Sequence, residues 1–225
     1  MRRVAVYAAT RNMYHQMTVA AKSLLINTKV DRVVFLTEDD DFDEYLPPVI
    51  ERINVARQTW FDPQGPNYTS PWTYMTMMRL ALAEILPDEE RCLWLDVDTL
   101  VNRDIGPLFD MDLEGHSFAM AAEPARCVPP FVYHNAGVLL MDLKRLRGKK
   151  TKDMIRMVNE KKLGCVDQDV INLLFQQEIL TIDPTWNSND FTTHVASARI
   201  YHFAGEQIYI RRPIWKEYES ANWEG

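Results

Sequence analysis

The sequence predicts an α/β fold built on a mostly parallel sheet flanked by helices. Two runs, Cys92-Leu-Trp-Leu95 and Val138-Leu-Leu-Met141, are apolar at every position, as strands covered on both faces must be. Early in the chain, strand-like and helix-like patterns alternate in the order of a right-handed βαβ unit, the opening of a doubly wound sheet. The chain has 225 residues, 47% of them hydrophobic, enough for one α/β domain, which commonly takes roughly 200–250 residues.

Val4-Ala-Val-Tyr7 reads as the first strand and gives way to a small and polar turn, Ala8 to Asn12. Met17, Ala20, Ala21 and Leu24 recur at helical spacing, which predicts an amphipathic helix to about Asn27. Val33 to Leu36 is a second buried strand, and Glu38 to Asp43 a solvated acidic loop. Val49 to Val55 is a third strand. Residues 57–71 carry Pro63, Gly65, Pro66 and Pro71 and form a loop. The stretch from Trp72 to Leu86 is a helix apolar nearly all round, hence buried, with Arg79 in its Met75–Leu82 stripe. Such a charge snorkels to the surface or is held inward for a phosphate or carboxylate.

Arg91 to Val101 reads as a buried strand running into Asp96 and Asp98. A short turn of helix over 104–109, a strand over Ser117–Ala122 and a loop with Pro124, Pro129 and Pro130 follow. Asn135-Ala-Gly137 leads into the apolar strand Val138–Met141, and a long charged helix is predicted from about Asp142 to Lys161. Its basic run, Lys144 to Lys150, is a solvated face. Asp167-Gln-Asp169 looks like a helix N-terminus, where acids suit capping and the helix dipole. Ile179–Ile182 and Arg199–Phe203 are the last strands. Between them Trp186-Asn187 sits in a polar loop, and an aromatic, acidic tail runs from Trp215.

Lys and Arg number 25 against 32 Asp and Glu, a net charge of −7, which argues against nucleic-acid binding. An anionic substrate then requires a metal ion or a few placed cations. Three cysteines without a C-x-x-C pair speak against a disulfide framework or zinc site and for a reducing cytoplasm. No apolar run approaches the roughly eighteen residues of a membrane span. A soluble cytoplasmic protein is expected.

Asp96, Asp98 and His202 form the most informative set. Two carboxylates and an imidazole on different strand ends suit Mn²⁺ or Mg²⁺ with positions open for substrate oxygens, and the imidazole tilts the choice toward manganese. The pair of acids also admits a solvated turn, and a lone histidine is more often hydrogen-bonded in a core. His15, His116, His134 and His194 have no better case as ligands.

Leu95-Asp-Val-Asp-Thr-Leu-Val101, Asn135-Ala-Gly-Val-Leu-Leu140, Asp167-Gln-Asp169, Trp186-Asn187 and His202-Phe-Ala-Gly205 follow one another in that order. Together they resemble glycosyltransferase family 8, the retaining group that contains glycogenin and bacterial lipopolysaccharide galactosyl- and glucosyltransferases. The likeness runs from Val4 to Trp215. It implies a GT-A nucleotide-sugar-binding fold, a Rossmann-like mixed sheet in one domain over residues 1–225. The nucleotide-binding half is 1–101 and the donor-sugar and acceptor half 102–225.

The resemblance also implies the roles. Asp96 and Asp98 are the D-x-D ligands of Mn²⁺ (or Mg²⁺), and His202 is the third. Arg79 lies near the donor phosphate and sugar, while Asn135, Asp167 and Gln168 face the donor sugar, with Gln168 nearest the anomeric carbon. Ala8, Thr10, Asn12 and Tyr14 lie along the base, and Gly205 and Arg212 along the diphosphate. The implied donor is a UDP-hexose, with glucose or galactose as the sugar, and the acceptor a glycan, lipid-linked or protein hydroxyl.

The match has departures. Many bacterial members carry two acids where Thr10 and Arg11 stand, whereas a threonine with a tyrosine four residues on is the glycogenin-like pattern. Glu206 to Trp215 is longer than the family's closing segment, which makes Arg212 a replacement for its phosphate-binding lysine. Asp96-Val-Asp-Thr99 is also similar to the motif of haloacid-dehalogenase-like phosphatases, but it comes too late in the chain and its threonine is one place early. A sugar nucleotidyltransferase would need a glycine-rich loop after the first strand. A non-catalytic nucleotide-sugar-binding protein is the third alternative.

Overall fold

The computed structural model describes residues 2–69, 73–193, 195–206 and 208–223. Its first strands, β1 (Val4–Ala9), β2 (Arg32–Thr37), β3 (Ile50–Asn54) and β4 (Arg91–Leu95), are mutually parallel. The short β5 (Thr99–Val101) leaves the sheet, and β6 (Phe118–Ala122) returns to it. β7 (His134–Asp142) inserts antiparallel between β4 and β6, and β8 (Ile179–Ile182) lies parallel to β6. The order is β3-β2-β1-β4-β7-β6-β8. β9 (Ile200–His202) pairs antiparallel with β5 in a separate two-stranded sheet. Because β7 is reversed, its amino end meets the carboxyl ends of β1, β4 and β6 at one sheet edge, where open α/β sheets take their ligands.

Side chains alternate between two buried layers, as the two-residue period of a strand requires. Val4, Val6, Val34, Leu36, Cys92, Trp94, Leu139 and Met141 fall on one face. Ala5, Tyr7, Val33, Phe35, Leu93, Leu95, Val138 and Leu140 fall on the other. The second face is covered by α1 (Tyr14–Asn27), through Met17, Ala20, Ala21 and Leu24, and by the short α4 (Gly106–Phe109). The first is covered by α2 (Thr73–Met77), α3 (Leu82–Ile85), α5 (Leu143–Leu146), α6 (Lys149–Glu160) and α7 (Val166–Leu174). Among the described residues no helix is long and apolar enough to cross a membrane.

Several elements differ from the sequence reading. Trp72 lies outside the described residues, and the helix expected after it is not continuous. A tighter 3₁₀ turn over Met78–Ala81 separates α2 from α3, just where Arg79 turns inward and its Nε donates to Thr76 O at 3.0 Å. The helix expected over 142–161 splits at Gly148, whose φ of +78° belongs to the left-handed region that glycine enters without steric cost. Asp142 caps α5 by accepting from Arg145 N.

β4 ends at Leu95, so Asp96 and Asp98 occupy a turn, closed by Thr99 N and Oγ1 donating to Asp96 O at 3.1 and 2.7 Å. Their convergence is thus a property of the turn. The Asn135-Ala-Gly137 motif lies inside β7 rather than before it. The segment around Trp215 is a helix, α8 (Pro213–Ser220), not a tail. Trp215 is fully buried against Val19, Leu100 and Tyr209, which docks α8 on α1 and β5.

Candidate active site

Asp96, Asp98 and His202 each offer a ligand atom within 4.8 Å of the others. His202 Nε2 stands 3.4 Å from Asp98 Oδ1 and 3.8 Å from Asp96 Oδ2. The β5–β9 pairing sets Thr99 opposite His202, which brings the histidine back to the turn that holds the acids. Nδ1 lies 2.9 Å from Asn187 Oδ1 and 3.2 Å from Asn189 Nδ2, and this pair of amides turns Nε2 toward the carboxylates. Burial works against an imidazolium at His202, but Asp98 outweighs it and raises the pKa. For Asp98 burial favours the neutral acid, and the facing imidazole overcomes it and lowers the pKa.

Arg79, only 2% exposed, organises the next layer. Its Nη2 donates to Asp96 Oδ1 at 2.8 Å, its Nε lies 3.0 Å from Asp167 Oδ2, and its Nη1 donates to Ala136 O. The guanidinium lies 4.5 Å from the centre of the Trp94 ring, whose Nε1 also donates to Asp96 Oδ1 at 2.7 Å. Burial raises the Asp167 carboxyl to about 6, with Arg79 pulling down and Asp96 pushing up. Asp169 behaves differently, accepting from Gly164 N and Cys165 N at 2.9 and 2.8 Å as a cap. Just before Asp167 the chain is strained, since β-branched Val166 has a φ of +36°.

Asn135 Oδ1 accepts from Gly137 N at 3.0 Å and from Asn187 Nδ2 at 2.9 Å. Gln168 Oε1 accepts from Ala136 N at 2.9 Å, and its Nε2 donates to Glu123 Oε1 at 3.1 Å. A cleft of about 440 Å³ is lined by Arg79, Asp96, Asp98, Asn135, Asp167, Gln168, His202 and Gly205. The remaining residues singled out from sequence do not line it. Thr10 Oγ1 donates to Asn12 Oδ1 at 2.6 Å, and Ala8 is half-buried in β1. Tyr14 is not on the surface. It is buried, its ring 5.2 Å from that of Phe42 and its hydroxyl donating to Asp39 Oδ1 at 3.1 Å. The acidic loop is thereby tied to the residues after β1, with Arg11 N donating to Glu38 Oε1 at 2.7 Å. Arg212 lines a neighbouring 320 Å³ pocket and forks onto Glu206 at 2.8 and 3.1 Å. His194 lies outside the described residues.

The sequence reading missed Glu123, Arg126, Gly137 and Phe191, all of which line the cleft. Glu123 is buried, and its Oε2 has no hydrogen-bond donor, only Arg126 Nη1 at 3.5 Å. A signal existed for it, an acid directly after the apolar run Phe118–Ala122, as with Asp96 after Leu95. Gly137 is fixed by contact. A Cβ there would lie 2.0 Å from His202 Cε1, so only glycine admits the ring.

A mixed sheet of this order, with two carboxylates and an imidazole gathered at its carboxyl edge, belongs to the GT-A class of glycosyltransferase folds. The same fold is seen in the galactosyltransferase LgtC solved with donor and acceptor sugar analogues, at a TM-score of 0.72 and 21% identity over 96% of this chain and 95% of that one. Apo GlyE of Streptococcus pneumoniae TIGR4 gives 0.73 at 19% identity over 99% of this chain and 61% of that one. The model of glycosyl transferase family 8 matches residues 4–207, and the chain belongs to that family. Among curated relatives, glycosyltransferase GlyF of S. pneumoniae serotype 4 (strain ATCC BAA-334 / TIGR4) is 27% identical over 222 residues, 92% of this chain and 52% of its own. GlyE of the same strain is 25% identical over 83% of this chain and 48% of its own. The chain thus spans about half the length of these relatives.

Proposed function

We propose that the chain is a retaining, Mn²⁺-dependent hexosyltransferase that moves glucose or galactose from a UDP-sugar to an acceptor hydroxyl. The observation that carries this reading is the convergence of Asp96, Asp98 and His202 within 4.8 Å in a family 8 chain. Four carboxylates, Asp96, Asp98, Glu123 and Asp167, line the cleft with two guanidiniums, Arg79 and Arg126. A sugar diphosphate would meet net repulsion there without a cation. The donor set fits one, since Nε2 is the ring nitrogen that faces both carboxylates, and two carboxylates with an imidazole suit Mn²⁺, with Mg²⁺ as the alternative. When bound, the ion stabilises the negative charge that builds on the departing diphosphate.

The chain's own groups do the rest in this reading. Arg79 holds Asp96 and Asp167 in place and adds positive charge beside the phosphates. Asn135, Asp167 and Gln168 face the donor sugar, and their oxygens stabilise an oxocarbenium-like transition state. The Gln168 amide is a poor nucleophile and is bonded at both ends, which favours a front-face route. The acceptor oxygen bonds to the anomeric carbon on the side from which the diphosphate leaves. The bond from that carbon to the diphosphate oxygen breaks, and the acceptor proton passes to that oxygen. Ala8, Thr10 and Asn12 frame the base in half 1–101, with the buried Tyr14 fixing the adjoining acidic loop, and Gly205 and Arg212 serve the diphosphate from half 102–225. Three free thiols suit a reducing compartment such as the cytoplasm.

Purified protein with Mn²⁺ should bind UDP-hexoses and slowly release free UDP without an acceptor. Asp98→Asn should weaken Mn²⁺-dependent donor binding by at least about 10-fold. Wild-type-like binding by that variant, or phosphatase activity in its place, would overturn the reading.

A further inference from the structure

Phe191 stands apart in the cleft. It is 49% exposed and belongs to neither buried layer of the sheet nor the group around Trp215, so the fold gains little from it. Its backbone is nevertheless held. Asn189 Oδ1 accepts from Phe191 N at 2.8 Å and from Thr192 N at 2.9 Å. Asn189, itself 4% exposed, donates from Nδ2 to Asn187 Oδ1 at 2.9 Å, the atom that also lies against His202 Nδ1. The ring edge lies along Gly205, with Cε2 and Cζ 3.6 Å from where a Cβ would stand. One turn therefore carries both the support of His202 and a half-exposed aromatic ring.

The chemistry around that ring narrows its ligand. The cleft is otherwise rich in carboxylates, amides and guanidiniums. An aromatic face among such groups suits a molecule with an apolar C–H face and hydroxyls at its rim, because the negative π-face attracts polarised C–H bonds while the rim bonds to the polar groups. A pyranose has that shape. The buried groups Arg79, Asn135 and Asp167 are already assigned to the donor sugar in the reading above, on which this step rests. The ring lines the same cleft and, unlike them, is 49% exposed. We propose that Phe191 is the stacking platform of an acceptor subsite, and that the acceptor presents a pyranose ring, which makes it a carbohydrate rather than a protein side chain or a lipid headgroup.

The test uses the full chain with Mn²⁺ and UDP. Saturation-transfer NMR is recorded with methyl glucosides and galactosides, lactose and maltose, and with N-acetyltyrosinamide and glycerol phosphate as probes of the other acceptor classes. At least one pyranoside should bind, with saturation concentrated on the C–H protons of one ring face. Phe191→Leu should weaken that binding about 5- to 10-fold and Phe191→Trp restore it, while the UDP affinity measured in the same samples stays unchanged. Binding of UDP with no pyranoside bound, pyranoside binding indifferent to Phe191→Leu, or preference for the tyrosine or phosphate probe would overturn the acceptor proposal and leave the donor reading standing. A parallel loss of UDP affinity in Phe191→Leu would also overturn it, by moving the ring to the donor side. Failure of the wild type to bind UDP with Mn²⁺ would overturn the donor reading, and this one with it.

Discussion

Gly137→Ala isolates the link between the sheet and the metal-type site. The added methyl would lie 2.0 Å from His202 Cε1, 2.6 Å from Nδ1 and 2.7 Å from Nε2. Carbon atoms in comfortable contact sit roughly 3.5–4.0 Å apart, so the ring or the strand must move by about 1.5 Å. β7 cannot retreat, because it lies between two strands and its neighbours Ala136 and Val138 are buried. His202 is held by strand pairing to Thr99, by its N–H to Ser188 O at 3.0 Å, and by the Asn187 bond. Overpacking of this kind costs about 1–3 kcal/mol. The ring yields last at its backbone and first at its tip, so Nε2 leaves the carboxylates. Loss of such support typically weakens metal binding by about 10- to 100-fold. Calorimetric titration of Mn²⁺ in the presence of UDP reads the affinity, and denaturant unfolding reads the stability. The same substitution in a His202→Ala background should cost almost nothing, since the clashing ring is gone. Gly137→Ala with Mn²⁺ affinity within about twofold of wild type, or with a stability cost that persists in the His202→Ala background, would refute the contact as the cause.

Two further predictions concern stability. His15 bridges Glu44 and Glu219, each at 3.1 Å. Partial burial works against its charge, but the two carboxylates prevail and raise its pKa. A raised histidine stabilises the fold fully below its unfolded value near 6.5 and loses that contribution as pH rises through the folded value. The side chain is 54% exposed, so the effect is at most about 1 kcal/mol. His15→Gln should melt below wild type at about pH 5.5 and together with it at about pH 8.5, whereas a pH-independent difference would contradict the bridge. Trp215→Ala should cost about 3–5 kcal/mol in chemical denaturation, because the indole ties α8 to Val19 and Leu100. A loss under about 1 kcal/mol would show that α8 is not integral to the fold.

Strands buried on both faces were the most legible elements, because Cys92–Leu95 and Val138–Met141 must be apolar throughout wherever the chain folds. β9 was legible as the strand over Arg199–Phe203, whereas the three residues of β5 merged with the preceding strand in the sequence, because β5 takes its shape from pairing with β9. α8 looked like a tail because Trp215 is its one buried residue, too little to set a periodicity. The break at Gly148 was visible in principle, since the glycine stands in the middle of a run otherwise suited to one helix.

The candidate site divides in the same way. Asp96, Asp98 and His202 were legible through motifs, as chemical groups at strand ends. What the motifs could not convey is mutual orientation. Asp167 and Asp169 share a helix terminus and a residue type, so capping explained both from sequence alone. In the fold only Asp169 caps, while Asp167 turns in to Arg79, and the strained Val166 between Cys165 and Asp167 is where the two fates part. Gly137 shows the same thing from the other side. It was quoted within a motif, but its reason is the His202 ring, 65 positions away and delivered by β9. A residue whose task is to leave room for another can be read only when both elements are in place. By that reasoning the proposed acceptor side, on the loop that holds Phe191, had the least to show in sequence. There the local pattern is polar and irregular, and the one informative side chain is set apart only by its exposure.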